Sequence, residues 1–375
     1  MSVDFRRGDL PTLPDSAPVT LIDDEGHRAA DARDGGFDFP GADELKSLYR
    51  KMVVARRFDV QVTTLTRQGR MATYPSALGQ EACEIGATAA LRAADWLFPT
   101  YRDTIALLTR GIDPVDIFPS FRGDWHCGYD PSAHRTAPQA TPLATQALHA
   151  VGAATAAKLK HDDVATLAFL GDGASSEGET HEAFNFAAVW QAPTVFMLQN
   201  NQFAISVPLA KQSHARMLAD KAVGYGMPGY RVDGNDVAAV YAVVKSALGR
   251  ARAGGGPTLV EGLTYRIEAH TNSDDPSRYR DDADVATWKT RDPIERLEKY
   301  LLSTGLLGED DRRSIAAEAE DLAARTRDAV SAETTLDPLE MFDHVYAAER
   351  PEMRRQRDFL AAELARSDEA TGANA

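Results

Sequence analysis

Two short apolar runs, VATLAFL at 164–170 and PTVFMLQ at 193–199, each stop abruptly, the first in GDGASSEG and the second in Asn200-Asn201. Runs of that length without polar alternation predict strands buried on both faces. Between them, from about Thr180 to Trp190, Ala183, Phe184, Ala187 and Ala188 recur at helical spacing. Strand, helix, strand makes a parallel unit. YRVDGND, a helix through VAAVYAVVKSALGRARAG and a strand in PTLVEGLTYR repeat the alternation. The predicted fold is therefore α/β, an open, mostly parallel sheet with helices on both faces. Ligands of such sheets belong at the carboxyl ends of the strands.

Upstream, the pattern is helical from Ala42 through MVVARRFDVQVTTLTRQGR, and a second helix is predicted in GQEACEIGATAALR. WLFPTYRDTIALLTRG offers a turn at Pro99, with Tyr101 and Arg102 as an exposed polar pair at the edge of a cleft. Residues 1–40, rich in Pro, Gly and Asp, read as an extended arm without chemistry. After Pro293 the chain is helical and charged, with breaks near Gly305, Pro338 and Pro351. The expected division is an arm over 1–40, an α/β domain over 41–292 and a helical extension over 293–375.

Composition narrows the function classes. With 375 residues, 43% of them hydrophobic, the chain can bury a large core. A formal charge of −15 leaves no broad basic surface for the phosphates of a nucleic acid, so no such partner is expected. Cys83 and Cys127 are the only cysteines, too far apart for paired metal spacing or a disulfide framework. No apolar run reaches membrane-spanning length, and MSVDFRRGDLPTLPD lacks the apolar core of a secretory signal. Asp4, Asp9 and Asp15 also argue against an organellar transit peptide. The expected location is the cytoplasm, with no membrane association. Arginine far outnumbers lysine among the 41 basic residues, a codon-bias signature from which a bacterial source is expected.

Candidate chemistry concentrates at the two strand ends. Asp172 lies between Gly171 and Gly173 just past one strand, and Asn201 lies just past the next. Magnesium takes oxygen ligands and completes its octahedron with substrate phosphate and water, so a carboxylate, an amide oxygen and the Phe203 carbonyl suit a diphosphate-bound ion. The glycines let backbone approach phosphates, and a helix starting after Glu177 points its positive end the same way. GDG alone usually marks only a turn. A phosphatase with a similar metal loop needs an upstream Asp-x-Asp pair at a strand end, which is not found. GxxxxGK[ST], HExxH and GxSxG do not occur either, and the glycines around Asp172 do not fit GxGxxG.

GDG followed at this distance by Asn-Asn resembles the diphosphate motif of thiamine-dependent enzymes. More broadly, from about Leu45 to Leu364, the chain resembles the alpha subunits of 2-oxo acid dehydrogenases. The shared segments include RQGR, GQEA, YRDT, TPLATQ, GDGASSEG, FNFAA, QNNQFAIS, GYGMPG, RVDGND, GPTLVE, TYRIEAH and SDDPSRYR. The resemblance implies thiamine diphosphate and Mg2+ as cofactors, with metal ligation by Asp172, Asn201 and the Phe203 carbonyl. Gly171, Gly173, Ala174 and Ala204 would lie beside the diphosphate, Tyr101, Arg102 and Arg266 would reach the phosphates, and Thr141 and Leu143 would face the aminopyrimidine region. His270 takes the position of the family's active-site histidine, in contact with the cofactor and assisting transfer to a lipoyl group. His126 in RGDWHCG resembles a second such histidine in a diverged neighbourhood, with a structural role as the alternative. His149 and His181 are read as structural.

Because activating the cofactor needs a carboxylate at its aminopyrimidine ring, and this chain holds one sheet domain, a second chain is expected to supply it. The resemblance agrees. It implies an alpha2-beta2 heterotetramer with a beta subunit, serving a lipoyl-bearing acyltransferase core. TYRI, SDDPSRYR and MFDHVYAAERPEMRRQ look most like branched-chain subunits, so the expected reaction is oxidative decarboxylation of 3-methyl-2-oxobutanoate and its homologues. The alternatives are a pyruvate or acetoin dehydrogenase subunit and, in another class, a non-catalytic scaffold or regulatory subunit. HTNSDDPSRYRDD matches a segment phosphorylated in mammalian relatives and offers Thr271, Ser273 and Ser277. The reading taken here is a loop ordered by cofactor binding through Asp274, Asp275, Tyr279 and Arg280.

Overall fold

The computed structural model describes residues 11–29, 34–122, 127–139, 141–331, 337–343 and 345–372. Strands β1 (Trp96–Phe98), β2 (Thr166–Gly171), β3 (Thr194–Asn200), β6 (Gly229–Asp233) and β7 (Thr258–Leu263) form one sheet in the order β1-β2-β3-β7-β6. All neighbouring pairs are parallel. A two-stranded antiparallel hairpin, β4 (Phe203–Ala204) and β5 (Val207–Pro208), follows β3.

Period-two alternation along the central strands separates two cores. Leu167, Phe169, Val195 and Met197 point into one; Ala168, Leu170, Phe196 and Leu198 point into the other. The first core is covered by α1 (Ala42–Arg67), α2 (Glu81–Ala89) and the helix Val237–Arg250. The second is covered by the helices Thr145–Lys160 and Gly178–Trp190, whose inward faces are mostly alanine (Ala147, Ala150, Ala154, Ala183, Ala187) and so sit close to the sheet. Leu297, Leu301, Leu322 and Val330, on the helices Pro293–Ser303 and Glu309–Ser331, join the first core. The second of these helices lies along α1, held also by Arg50–Glu318 and Arg57–Glu320 pairs.

Three boundaries differ from the sequence reading. WLF forms the short edge strand β1; three residues carry too little periodicity to announce a strand. The helix from Val237 is α-helical only to Arg250 and widens over Ala251–Gly255, where Gly254 takes a φ of +85°. β7 ends at Leu263, which frees Tyr265 and Arg266 from the sheet. The described part of the arm packs down: Val19 bridges Val232 in parallel, and the Asp236 carboxylate accepts the Leu21 and Ile22 N–H groups at 2.6 and 2.7 Å. Among the described residues no helix is long and apolar enough to cross a membrane.

Candidate active site

The carboxyl ends of β1, β2, β3 and β7 open into a cavity of about 220 Å³. Every expected cofactor-binding residue except Thr141 lines it. Thr141 lines an adjoining cavity of about 420 Å³, which shares Tyr101, Leu143, Ile205 and His270 with the first. His126 lies outside the described residues. His149 and His181 are exposed on the two helices of the second core.

Asp172 sits one residue past β2, at the mouth of a 3-10 turn over Gly173–Ser176 that precedes the helix starting at Gly178. Its Oδ2 is buried without a hydrogen-bond partner. Burial raises the carboxyl to about 6, against the opposing pull of Arg266 and Arg102. The turn is held from behind. The Asp172 carbonyl accepts the Ser175 hydroxyl at 2.7 Å, and Lys221 Nζ donates to the Ser175 carbonyl and hydroxyl at 2.7 and 2.9 Å. The two flanking glycines are unequal: a Cβ at Gly173 would meet the Ala204 Cβ at 2.9 Å, whereas one at Gly171 would meet no atom within 4 Å.

Register places the second motif beside the first, since Gly171 pairs with Gln199 on β3. Asn201 then lines the same cavity as Asp172, is buried, and donates from Nδ2 to Gln80 Oε1 at 3.0 Å while its Oδ1 accepts the Phe203 N–H at 3.3 Å. Asn200 points away and donates to the buried Glu261 carboxylate on β7 at 2.7 Å. The backbone is strained on either side of β4: Gln202, before it, and the β-branched Ile205, in the hairpin turn, have φ of +74° and +56°. Such conformations cost about 1–3 kcal/mol each and persist where surrounding bonds impose them. Here the Ile205 carbonyl accepts Arg266 Nη2 at 2.6 Å.

Cationic groups face the carboxylate. Arg102, expected from the sequence to be exposed, is buried, because its guanidinium is taken up by the Ser76 and His270 carbonyls at 2.8 and 3.1 Å. The Thr100–Arg102 turn is fixed by Asp103, which accepts the Thr100 N–H and Gln199 Nε2, both at 2.6 Å. Arg266 is 1% exposed; its Nη1 reaches the Phe203 carbonyl only at 3.5 Å, and its Nε is buried without a partner. Arg102 Nη2 lies 3.1 Å from His270 Nδ1. A guanidinium only donates, so Nδ1 accepts and, in the neutral ring, the proton is on Nε2. Burial, Arg102 and Arg266 together lower His270 to about 4, which keeps the ring neutral at physiological pH.

The loop after His270 is tied to the site. Asp274 accepts the His270 N–H at 2.9 Å and the Tyr279 hydroxyl; that hydroxyl accepts Arg266 Nη2 at 3.0 Å. Arg280 donates to the carbonyls of Arg266, Ile267 and Glu268. Asp275 makes only a local turn with Ser277. Sequence reasoning missed Gln80, Ile205 and Lys221 as parts of this surround. Gln80 and Ile205 had a signal, in the quoted GQEA and QNNQFAIS segments; Lys221 carries none.

The donor set is all oxygen at Asp172, Asn201 and Phe203, which is what magnesium takes, and the partnerless Asp172 Oδ2 is an acceptor waiting for a cation. Among the described residues no cluster of three His, Cys, Asp or Glu is gathered to hold a metal unaided. With a single carboxylate, an ion here depends on ligands brought by an anion, for which Arg102 and Arg266 are placed. Fold and site thus define an open α/β protein whose adjacent strand ends carry an oxygen-lined cavity faced by two arginines.

Comparison with known proteins gives the family. Residues 49–338 match the dehydrogenase E1 component family. The chain is 48% identical to the 3-methyl-2-oxobutanoate dehydrogenase subunit alpha of Mycobacterium tuberculosis, over 94% of this chain and 96% of that protein. It is 37% identical to the 2-oxoisovalerate dehydrogenase subunit alpha of Bacillus subtilis, over 81% of this chain and 96% of that one. The pyruvate dehydrogenase E1 component subunit alpha of Acholeplasma laidlawii is also 37% identical, over 83% and 91%. The chain belongs to the dehydrogenase E1 component family.

Proposed function

We propose that this chain is the alpha subunit of a branched-chain 2-oxo acid dehydrogenase, carrying the diphosphate and magnesium half of an active site completed by a beta subunit in an alpha2-beta2 assembly. The observation that carries the cofactor reading is the oxygen-only set of Asp172, Asn201 and the Phe203 carbonyl opposite Arg102 and Arg266. Thiamine diphosphate, when bound, supplies the electron sink that lets carbon dioxide leave a 2-oxo acid. Asp172, Asn201 and the Phe203 carbonyl hold the magnesium ion, while Tyr101, Arg102 and Arg266 meet the phosphate oxygens, a task for which the planar guanidinium is suited. Gly171, Gly173, Ala174 and Ala204 form the backbone cradle. His270 offers its Nε2–H as a donor where the two cavities join, and so assists passage of the acyl group to the lipoyl arm of an acyltransferase core. Thr141 and Leu143 shape the wall on the aminopyrimidine side.

None of the described residues lining the second cavity is acidic. That supports a partner-supplied carboxylate there, and the chain alone is expected to decarboxylate nothing. For the substrate, the relative at 48% identity carries the branched-chain name. The two relatives at 37% divide between branched-chain acid and pyruvate. The deciding experiment compares kcat/KM for 3-methyl-2-oxobutanoate and pyruvate on the reconstituted alpha–beta pair. A preference for the branched-chain acid is expected; a clear preference for pyruvate overturns the assignment of substrate.

A further inference from the structure

Gln80 is absorbed by none of the roles above, yet it is 1% exposed, lines the cavity and touches a proposed metal ligand. An asparagine amide has an oxygen face and an NH2 face of nearly equal shape, and only the oxygen can ligate magnesium. Something outside the ligand must therefore decide which face looks into the site. Two contacts do so. Asn201 Nδ2 is taken up by Gln80 Oε1 at 3.0 Å, and the Phe203 N–H engages Asn201 Oδ1 at 3.3 Å, near the long end of the hydrogen-bond range. That second bond leaves the oxygen a free lone pair.

Gln80 is itself on rigid ground. It opens α2 without spending its side chain as a cap. The carboxylate of its neighbour Glu81 binds the Gly79 N–H at 3.0 Å and Arg56 at 2.7 Å, and the Gly79 carbonyl accepts Thr264 Oγ1 at 2.7 Å. Gly79 adopts φ +94°, and a Cβ there would lie 2.5 Å from the Tyr265 carbonyl, so α2 begins pressed against the end of β7.

Resting on the cofactor reading above, we infer that Gln80 is a positioning residue: its amide oxygen holds Asn201 with the ligating oxygen turned toward the magnesium ion. The requirement is for an acceptor at that point, not for a glutamine as such. Residues in this outer position are worth roughly 10- to 100-fold in metal affinity.

The test titrates Mg2+ against the alpha–beta assembly at fixed thiamine diphosphate and reads cofactor binding by calorimetry. Gln80→Met should raise the half-saturating Mg2+ concentration by about tenfold or more, while Gln80→Glu, which restores an acceptor, should return it close to the wild-type value. Gln80→Ala serves as the second truncation should methionine prevent assembly. Wild-type affinity in the truncations, or a glutamate variant as weak as they are, overturns the proposal. If the wild-type assembly binds thiamine diphosphate without any need for Mg2+, the metal reading beneath it falls as well.

Discussion

Asp172 holds a buried oxygen with no partner, so this proposed metal ligand should weaken the protein until an ion is bound. The carboxyl is raised from 3.8 to about 6, which corresponds to about 3 kcal/mol against the ionised form at 1.36 kcal/mol per pH unit. The sign follows from linkage. The folded state holds the proton more tightly than the unfolded state, so the penalty is small near pH 4, grows as pH rises toward 6 and is complete above it. Asp172→Asn removes the charge at nearly constant shape. Without Mg2+ and thiamine diphosphate, the variant is expected to unfold later than the wild type at pH 8, by up to about 3 kcal/mol, with the difference shrinking toward pH 4. Adding both ligands at about one hundred times their dissociation constant stabilises the wild type by about 2.7 kcal/mol and leaves the variant unchanged. The order of stability then closes or inverts. Thermal melting of both proteins at the two pH values, with and without ligands, measures this. A variant that melts at or below the wild type at pH 8 in the absence of ligands refutes the reasoning.

His270, lowered to about 4, should stay neutral through the working range; its ring resonances are expected to show no titration between pH 5.5 and 8, and a midpoint near the ordinary histidine value contradicts that environment. Gly173→Ala places a Cβ 2.9 Å from the Ala204 Cβ, so thiamine diphosphate binding by calorimetry should fall sharply while far-ultraviolet circular dichroism is retained. Gly171→Ala, with open space around it, is the comparison. Asp236 accepts four N–H groups, from Leu21, Ile22, Ala238 and Ala239. Asp236→Ala should therefore cost about 2–4 kcal/mol in denaturant unfolding and expose the segment before residue 29 to protease.

What could be read in the chain divides by the range of the interaction. Val195 to Leu198 announced a buried strand because a strand covered on both faces is apolar throughout. Ala183, Phe184 and Ala187 announced the helix over it because their spacing puts them on one side. Trp96–Phe98 announced nothing, being too short for a period. Ile205 looked like an ordinary apolar residue, although its φ of +56° and its carbonyl bond to Arg266 help shape the cavity wall. Lys221 looked like a surface lysine. Its contact with Ser175 joins residues 46 apart in sequence, a separation at which no local pattern operates.

By itself the sequence determined the layered α/β fold, the two strand ends that carry Asp172 and Asn201, and the family, because strand runs, helical periods and short motifs are local. The tertiary structure decided that β2 and β3 are neighbours in register, so that the two motifs face one cavity. It also decided that Asp172 Oδ2 is left without a partner, that His270 is held neutral by burial and by two arginines, and that Gln80 accepts a hydrogen bond from Asn201. These last are matters of burial and of hydrogen bonds between distant segments, and burial and partnership exist only once the chain has closed on itself.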